Sequence, residues 1–128
     1  MKKVLEALKA KEDFCSIGSA DEKDIVNAEK QLGLKFSKDY KACLKAFGIF
    51  SINAHEITGI CNSTRLNVVD VTLQEKSLCK VSKSWYVIEQ ANMDGIVVWQ
   101  DENGFVYQSQ PNKEPVKIAN SLLEYLEC

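Results

Sequence analysis

Residues 85–109 place the tightest limit on what this chain can fold into. Three runs rich in β-branched and aromatic residues, W-Y-V-I-E-Q, I-V-V-W-Q and F-V-Y-Q-S, are separated only by A-N-M-D-G and D-E-N-G. Such residues suit a pleated, half-buried surface, and Asp-Gly and Asn-Gly supply the positive φ values of tight hairpin turns. Connections this short cannot carry a chain across to a parallel neighbour. The stretch has to form an antiparallel meander. Beyond it, Pro111 and Pro115 bracket a polar loop, and Val116 and Ile118 are placed to add a short edge strand.

A sheet of this kind needs helices to cover it, and residues 19–48 supply two. Ser19 with Glu22 has the spacing of a capping box, and Asp21, Glu22 and Asp24 suit the positive end of a helix dipole. Ile25, Ala28 and Leu32 recur at helical spacing, and Gly33 stands where a left-handed C-terminal residue is wanted. Ser37 is a cap for the next helix, whose Tyr40, Cys43, Leu44 and Phe47 share a face that Gly48 ends. Leu34 and Phe36 lie between the two helices and can plug the gap.

The remaining segments are shorter. Val4, Leu5 and Leu8 make one face of a short N-terminal helix, while Glu6, Lys9 and Lys11 break up any signal-peptide apolar core. I-F-S-I-N and H-E-I-T-G-I read as extended pieces around an Asn53-Ala54 turn. Asn67 caps a helix with Val68, Val71, Thr72, Leu78 and Cys79 on one face and Lys76, Lys80 and Lys83 toward its solvent side and end. Glu75 falls awkwardly near the apolar face. Asn120 or Ser121 starts a last helix, with Ala119, Leu122, Leu123 and Leu126 as its apolar stripe. With 128 residues and 45% apolar content the chain can bury one core. The expected architecture is one α+β domain over residues 1–128, an antiparallel meander packed against several α-helices, with 1–18 as N-terminal helix and lead-in.

Composition narrows the function. Net charge is −2 and Arg65 is the sole arginine, a poor endowment for nucleic acid. No run of about 18 apolar residues exists to span a membrane, and the chain reads as cytoplasmic. Five cysteines (Cys15, Cys43, Cys61, Cys79, Cys128) include no close pair, so no zinc or other metal site is expected. They read as reduced thiols, with Cys43 and Cys79 behaving as small buried hydrophobes and Cys128 the most exposed. No nucleophile elbow and no phosphate-cradling loop occurs, and no cofactor is implied. His55-Glu56 with Cys61 is the one local group that resembles a nucleophile and base, but it lacks the third group and the structural context such chemistry requires. Asp101-Glu102-Asn103-Gly104 lacks the spaced oxygens of a calcium loop and reads as a turn. The chain is not expected to be an enzyme.

Charge distribution says more. Residues 84–112 contain no lysine or arginine, yet hold Glu89, Asp94, Asp101 and Glu102. Two explanations stand side by side: these acids solvate an exposed sheet, or they form a negative patch that steers and holds a basic partner. In the second, Glu89, Asp94, Asp101 and Glu102 are the contact charges. Trp85, Trp99 and Tyr107 are then the anchors.

The order D-I-V-N-A-E-K-Q-L-G-L-K-F-S-K-D-Y-K-A-C-L-K-A-F-G resembles the N-terminal signature of the SUKH superfamily (the Smi–Knr type domain), with Ile25, Glu29, Leu32, Gly33, Phe36, Tyr40 and Leu44 at its marked positions. Ser37 departs from the family's usual proline, though both residues start helices well. H-E-I-T-G-I, N-V-V-D-V-T, V-V-W-Q-D-E-N-G-F-V-Y and the terminal S-L-L-E-Y-L also have counterparts, so the resemblance covers roughly residues 19–127. It implies an α+β fold and, in bacteria, an immunity protein that neutralises a polymorphic or contact-dependent toxin, such as a nuclease, by direct contact. It implies no catalytic residue and no cofactor. The partner expected is a basic protein toxin domain, with no nucleic acid and no membrane, and the chain itself is a monomer or weak homodimer. The alternative is a regulatory scaffold of the cell-wall or signalling type without a toxin, and a member without a cognate partner is a further possibility.

Overall fold

Twelve elements follow one another in a computed structural model that describes residues 2–91 and 93–127: α1 (Lys2–Lys9), β1 (Cys15–Ile17), α2 (Glu22–Leu32), α3 (Lys38–Phe47), β2 (Ile49–Ile52), β3 (His55–Ile57), α4 (Val68–Lys76), β4 (Tyr86–Gln90), β5 (Val97–Gln100), β6 (Val106–Ser109), β7 (Val116–Ala119) and α5 (Leu122–Leu126). The architecture is α+β, as expected. The meander is present, with strand order β4-β5-β6-β7 and every pairing antiparallel.

A single sheet was expected, and there are two. β1, β2 and β3 form their own three-stranded antiparallel sheet. The two sheets meet where the Thr58 N–H donates to the Ile88 carbonyl at 2.9 Å and the Thr58 hydroxyl donates to the Val87 carbonyl at 2.8 Å. β1 escaped sequence reading because Cys-Ser-Ile is three residues long and exposed throughout, so it shows no alternation.

The helix pair forms with one change of cap. Asp21, not Ser19, closes α2: its carboxylate accepts the Asp24 N–H at 2.8 Å and Asp24 reaches back at 3.5 Å. The Ala20 N–H just before the cap bonds the Leu44 carbonyl of α3 at 2.9 Å, which ties the start of α2 to α3. Gly33 ends α2 at φ 67°, and Ser37 caps α3 by accepting the Tyr40 N–H. Glu29 is buried at 6% exposure and accepts the Phe36 N–H at 2.9 Å, with Lys41 beside it at 3.7 Å. That bond satisfies a donor in the connection, which explains in physical terms why a glutamate serves in this motif. At Gly48 a Cβ would lie 2.8 Å from the Ile17 carbonyl oxygen, and at Gly59 it would lie 2.7 Å from that of Gly48. The backbones of three segments cross there with no room for side chains.

Each face of the meander carries a core. Tyr86, Ile88, Val98 and Val106 join the main core with Phe36, Tyr40, Leu44 and Leu122. The opposite face carries a second, smaller core of Val71, Val87, Val97 and Trp99, edged by Cys79, Val81, Trp85 and Tyr107. Four consecutive β4 residues are buried because both faces are covered there, and a register shift between Val87 and Glu89 interrupts the strand's alternation. α4 stops at Lys76, short of the expected end. The N–H groups of Leu78 and Cys79 both turn back to the Glu75 carbonyl, leaving the Leu78 side chain outside. Glu75 accepts from the Gln90 side chain at 2.5 Å, which answers how a carboxylate sits at that helix's sheet-facing edge.

Beneath the meander lies a closed polar network. The Ser37 N–H donates to the Tyr86 hydroxyl at 3.0 Å, and that hydroxyl donates to Gln100 Oε1 at 2.7 Å. Gln100 Nε2 donates to Asp39 Oδ1 and to the Gly104 carbonyl, each at 3.1 Å. Asp39 also takes the Ser37 hydroxyl and, through Oδ2, the Leu122 N–H at 3.0 Å. Every proton is used once, and among the described residues no buried side-chain polar atom lacks a partner. The network ties α3, β4, β5, the 101–105 turn and α5 into one rigid support.

Candidate partner interface

The outer face of the meander ends in an aromatic ribbon. Trp85, immediately before β4, stacks on Tyr107 of β6 with ring centroids 4.0 Å apart and planes within 13°. Two residues back from Tyr107, on the same side of the strand, Phe105 carries the Lys117 ammonium 4.0 Å above its ring. Tyr107 faces Lys117 across the β6–β7 pairing. All three rings are half-buried, so each offers apolar area to water while resting on the protein.

The 101–105 turn fixes the ribbon's position. Asp101 Oδ1 accepts the Asn103 and Phe105 N–H groups, each at 3.0 Å, and Oδ2 accepts the Tyr107 hydroxyl at 2.8 Å. Burial, then the hydrogen bond and charge of Asp101, push the Tyr107 phenol up to about 12. The ring is therefore neutral at physiological pH and donates to Asp101.

The structure divides the residues expected to meet a partner. Trp85, Tyr107, Asp101 and Glu102 come together at one end of the meander, with Glu102 exposed at the tip of the turn. Asp94 is exposed at the opposite end, in the β4–β5 turn at φ 55°. Six residues (95–100) of mostly extended chain separate it from Asp101, on the order of 20 Å. The four acids therefore do not share a patch.

Two of the expected contacts are interior residues. Trp99 is fully buried at 0% exposure, its indole N–H donating to the Ser109 hydroxyl at 2.9 Å. Glu89 is 7% exposed. The bulge in β4 turns it inward, where Oε1 meets His55 Nδ1 at 2.8 Å and the Tyr125 hydroxyl, and Oε2 accepts the Glu56 N–H at 2.7 Å. Glu89 thus joins the two sheets to α5, a correction to its reading as a surface charge. Lys117 was missed. Only the β6–β7 register, which is not legible in sequence, brings it beside the ribbon.

The His55–Cys61 pair is engaged elsewhere. His55 meets Glu89, and its ring lies 4.7 Å from that of Tyr125. The Cys61 thiol is directed to the Ser63 carbonyl at 3.5 Å. Cys43 is buried, and that burial, with the nearby Asp39 charge, pushes its thiol up to about 12. Cys79 is half-buried and Cys15 exposed; Cys128 lies outside the described residues. No group of acidic, histidine and cysteine side chains suited to a metal occurs among the described residues. Arg65 is taken by a bidentate ion pair with Glu56, at 2.5 and 3.4 Å. None of the described helices is long and apolar enough to cross a membrane.

A model of the family described as SUKH_5, SMI1-KNR4 cell-wall, matches residues 1–128. The chain belongs to this family of the SUKH superfamily, whose members are commonly immunity proteins and generally non-enzymatic immunity or regulatory domains. Among solved structures the fold recurs in a crystal structure of a protein from Pseudomonas syringae pv. tomato, at 18% sequence identity and a TM-score of 0.76, covering 99% of this chain and 96% of that one. Among curated proteins none matches.

Proposed function

We propose that this chain is a non-enzymatic immunity protein that works in the cytoplasm by binding a toxin domain and blocking it directly. Family membership supports the class. The observation that supports a binding face is the half-exposed ribbon of Trp85, Tyr107 and Phe105 beside the acidic 101–102 turn. Aromatic anchors held in place by a rigid frame lose little freedom on binding, and partner affinity concentrates in such residues. Glu102, beside Asp101, gives that end a negative character suited to a basic surface, such as a nuclease cleft. Asp94, at the far end, serves a second contact or solvation only. The test is co-expression with toxin domains encoded next to the gene. Growth rescue and a stable complex support the reading; failure of every neighbouring toxin to be bound or neutralised removes it.

A second reading rests on the family's cell-wall description: a regulatory scaffold that uses the same face for a cellular protein without any toxin. Affinity capture of a cell-wall or signalling protein, lost on Trp85→Ala and unaccompanied by toxin rescue, would favour it.

A further inference from the structure

The open sheet edges are guarded. β7 begins directly after Pro115, carries Lys117 at its centre, and is offset from β6 by a register shift. β1 is three residues long. Short strands, proline, lysine and irregular register all oppose edge-to-edge pairing, so association through a shared sheet is disfavoured.

What remains open is a groove of about 580 Å³ between the end of α4 with its following turn (75–81) and the β6–β7 loop (109–115). Its lining includes Leu78, Cys79, Val81, Pro111 and Pro115. Leu78, at 75% exposure, is the most exposed large apolar side chain among the described residues. Met93, at 62% exposure, sits in the turn whose Gly95 lines the groove. An exposed Leu78 beside Val81, Pro111 and Pro115 in one cleft marks a surface suited to being covered.

We infer that this groove seats a second copy of the chain about a two-fold axis. Such an interface needs knob and hole on one patch, and Leu78 stands on the wall of the cleft that would receive its counterpart. The charges obey the same requirement. One wall carries Glu75 and Lys80, the other Lys113 and Glu114. A basic partner would meet two lysines and an acidic one two glutamates, whereas a second copy can oppose each lysine to a glutamate. The patch is smaller than the 20–30 residues per side of a standard stable interface, so the dimer forms in the micromolar range or above.

Sedimentation equilibrium of the full chain under reducing conditions, from about 10 µM to about 1 mM, reads this directly. The mass is expected to climb toward two chains, and Leu78→Asp to move the transition at least tenfold higher in concentration. Because that side chain is exposed, its thermal unfolding should match the parent. A charge exchange tests the same face without touching Leu78. A Lys80→Glu/Lys113→Glu chain and a Glu114→Lys chain should each self-associate less than the parent, yet form a mixed dimer with one another. A parent of single-chain mass at every concentration overturns the inference and leaves the groove to a foreign occupant. So does a dimer indifferent to both sets of substitutions.

Discussion

On the face of the β4–β7 sheet that meets α3, Tyr86 and Gln100 end in polar groups whose bonds all close within the protein. On the other face, Trp85 and Tyr107 present similar chemistry, a flat ring with a polar edge, where water reaches them. The difference lies in what stands behind each. Tyr86 is enclosed by α3, α5 and the main core, so its hydroxyl has to be paired with Ser37 and Gln100. Tyr107 has Trp85, a strand pair and one turn around it, with water on the remaining side, and a single acceptor, Asp101, suffices. Alternating residues on the same strands thus divide into a frame and a face. A frame with no slack is what lets a half-exposed face hold its shape.

That contrast predicts its own breaking points. Asp39→Ala, on the frame, removes one acceptor from each of the Ser37 hydroxyl, the Gln100 amide and the Leu122 N–H at once. It should cost about 3–5 kcal/mol in urea unfolding. A loss under about 1 kcal/mol would mean the network is not the support described here.

The two tryptophans offer a finer comparison. Trp99→Ala should cost about 3–5 kcal/mol, because it empties the smaller core. Trp85→Ala gives up one stacking contact and should cost about 1 kcal/mol. In partner binding the order reverses: Trp85→Ala should weaken the complex by about 2 kcal/mol, chiefly through faster dissociation. Equal effects of the two in both assays would erase the distinction between frame and face.

Alkaline titration probes Tyr107 itself. Its folded value of about 12 stands above its ordinary 10.0, so the fold prefers the neutral phenol. The resulting stabilisation is fully present below pH 10 and is lost as pH rises through about 12. The stability gap between the parent and Tyr107→Phe should therefore be constant below pH 10 and narrow above it, as followed by urea unfolding at each pH. A gap independent of pH would show that the Asp101 bond does not hold the proton.

The smallest effect belongs to Glu102→Gln. With the charge exposed at a turn tip, stability should change by less than about 0.5 kcal/mol. Association with a basic partner should slow a few-fold, with weaker salt dependence, in stopped-flow measurements.

Much of the frame was legible because local chemistry determines it. Ser37 and Asn67 cap their helices, Gly33 takes a left-handed conformation, and Asn53-Ala54 turns the first hairpin with both φ values positive. What escaped depended on pairing between distant segments. The bulge that turns Glu89 inward shifts the alternation by one position, so a rule of every second residue puts the carboxylate on the wrong side. Trp99 and Trp85 look equivalent in composition. Only the packing of α4 against the sheet tells the anchor from the core residue. The spread of acids along the chain likewise concealed that a strand's length separates Asp94 from Asp101.

The bond from Asp39 to the Leu122 N–H spans 83 residues of sequence. A helix as brief as Leu122–Leu126 does not persist alone in water, so it has to wait for this acceptor and for the core beneath it. Until residues 116–126 dock, Asp39 lacks its Leu122 partner and the core lacks Ala119, Leu122 and Leu126, which leaves the nascent chain open to proteases and misassociation. Closure of this fold is therefore a long-range event, set by the docking of residues 116–126 and not by the α2–α3 pair alone.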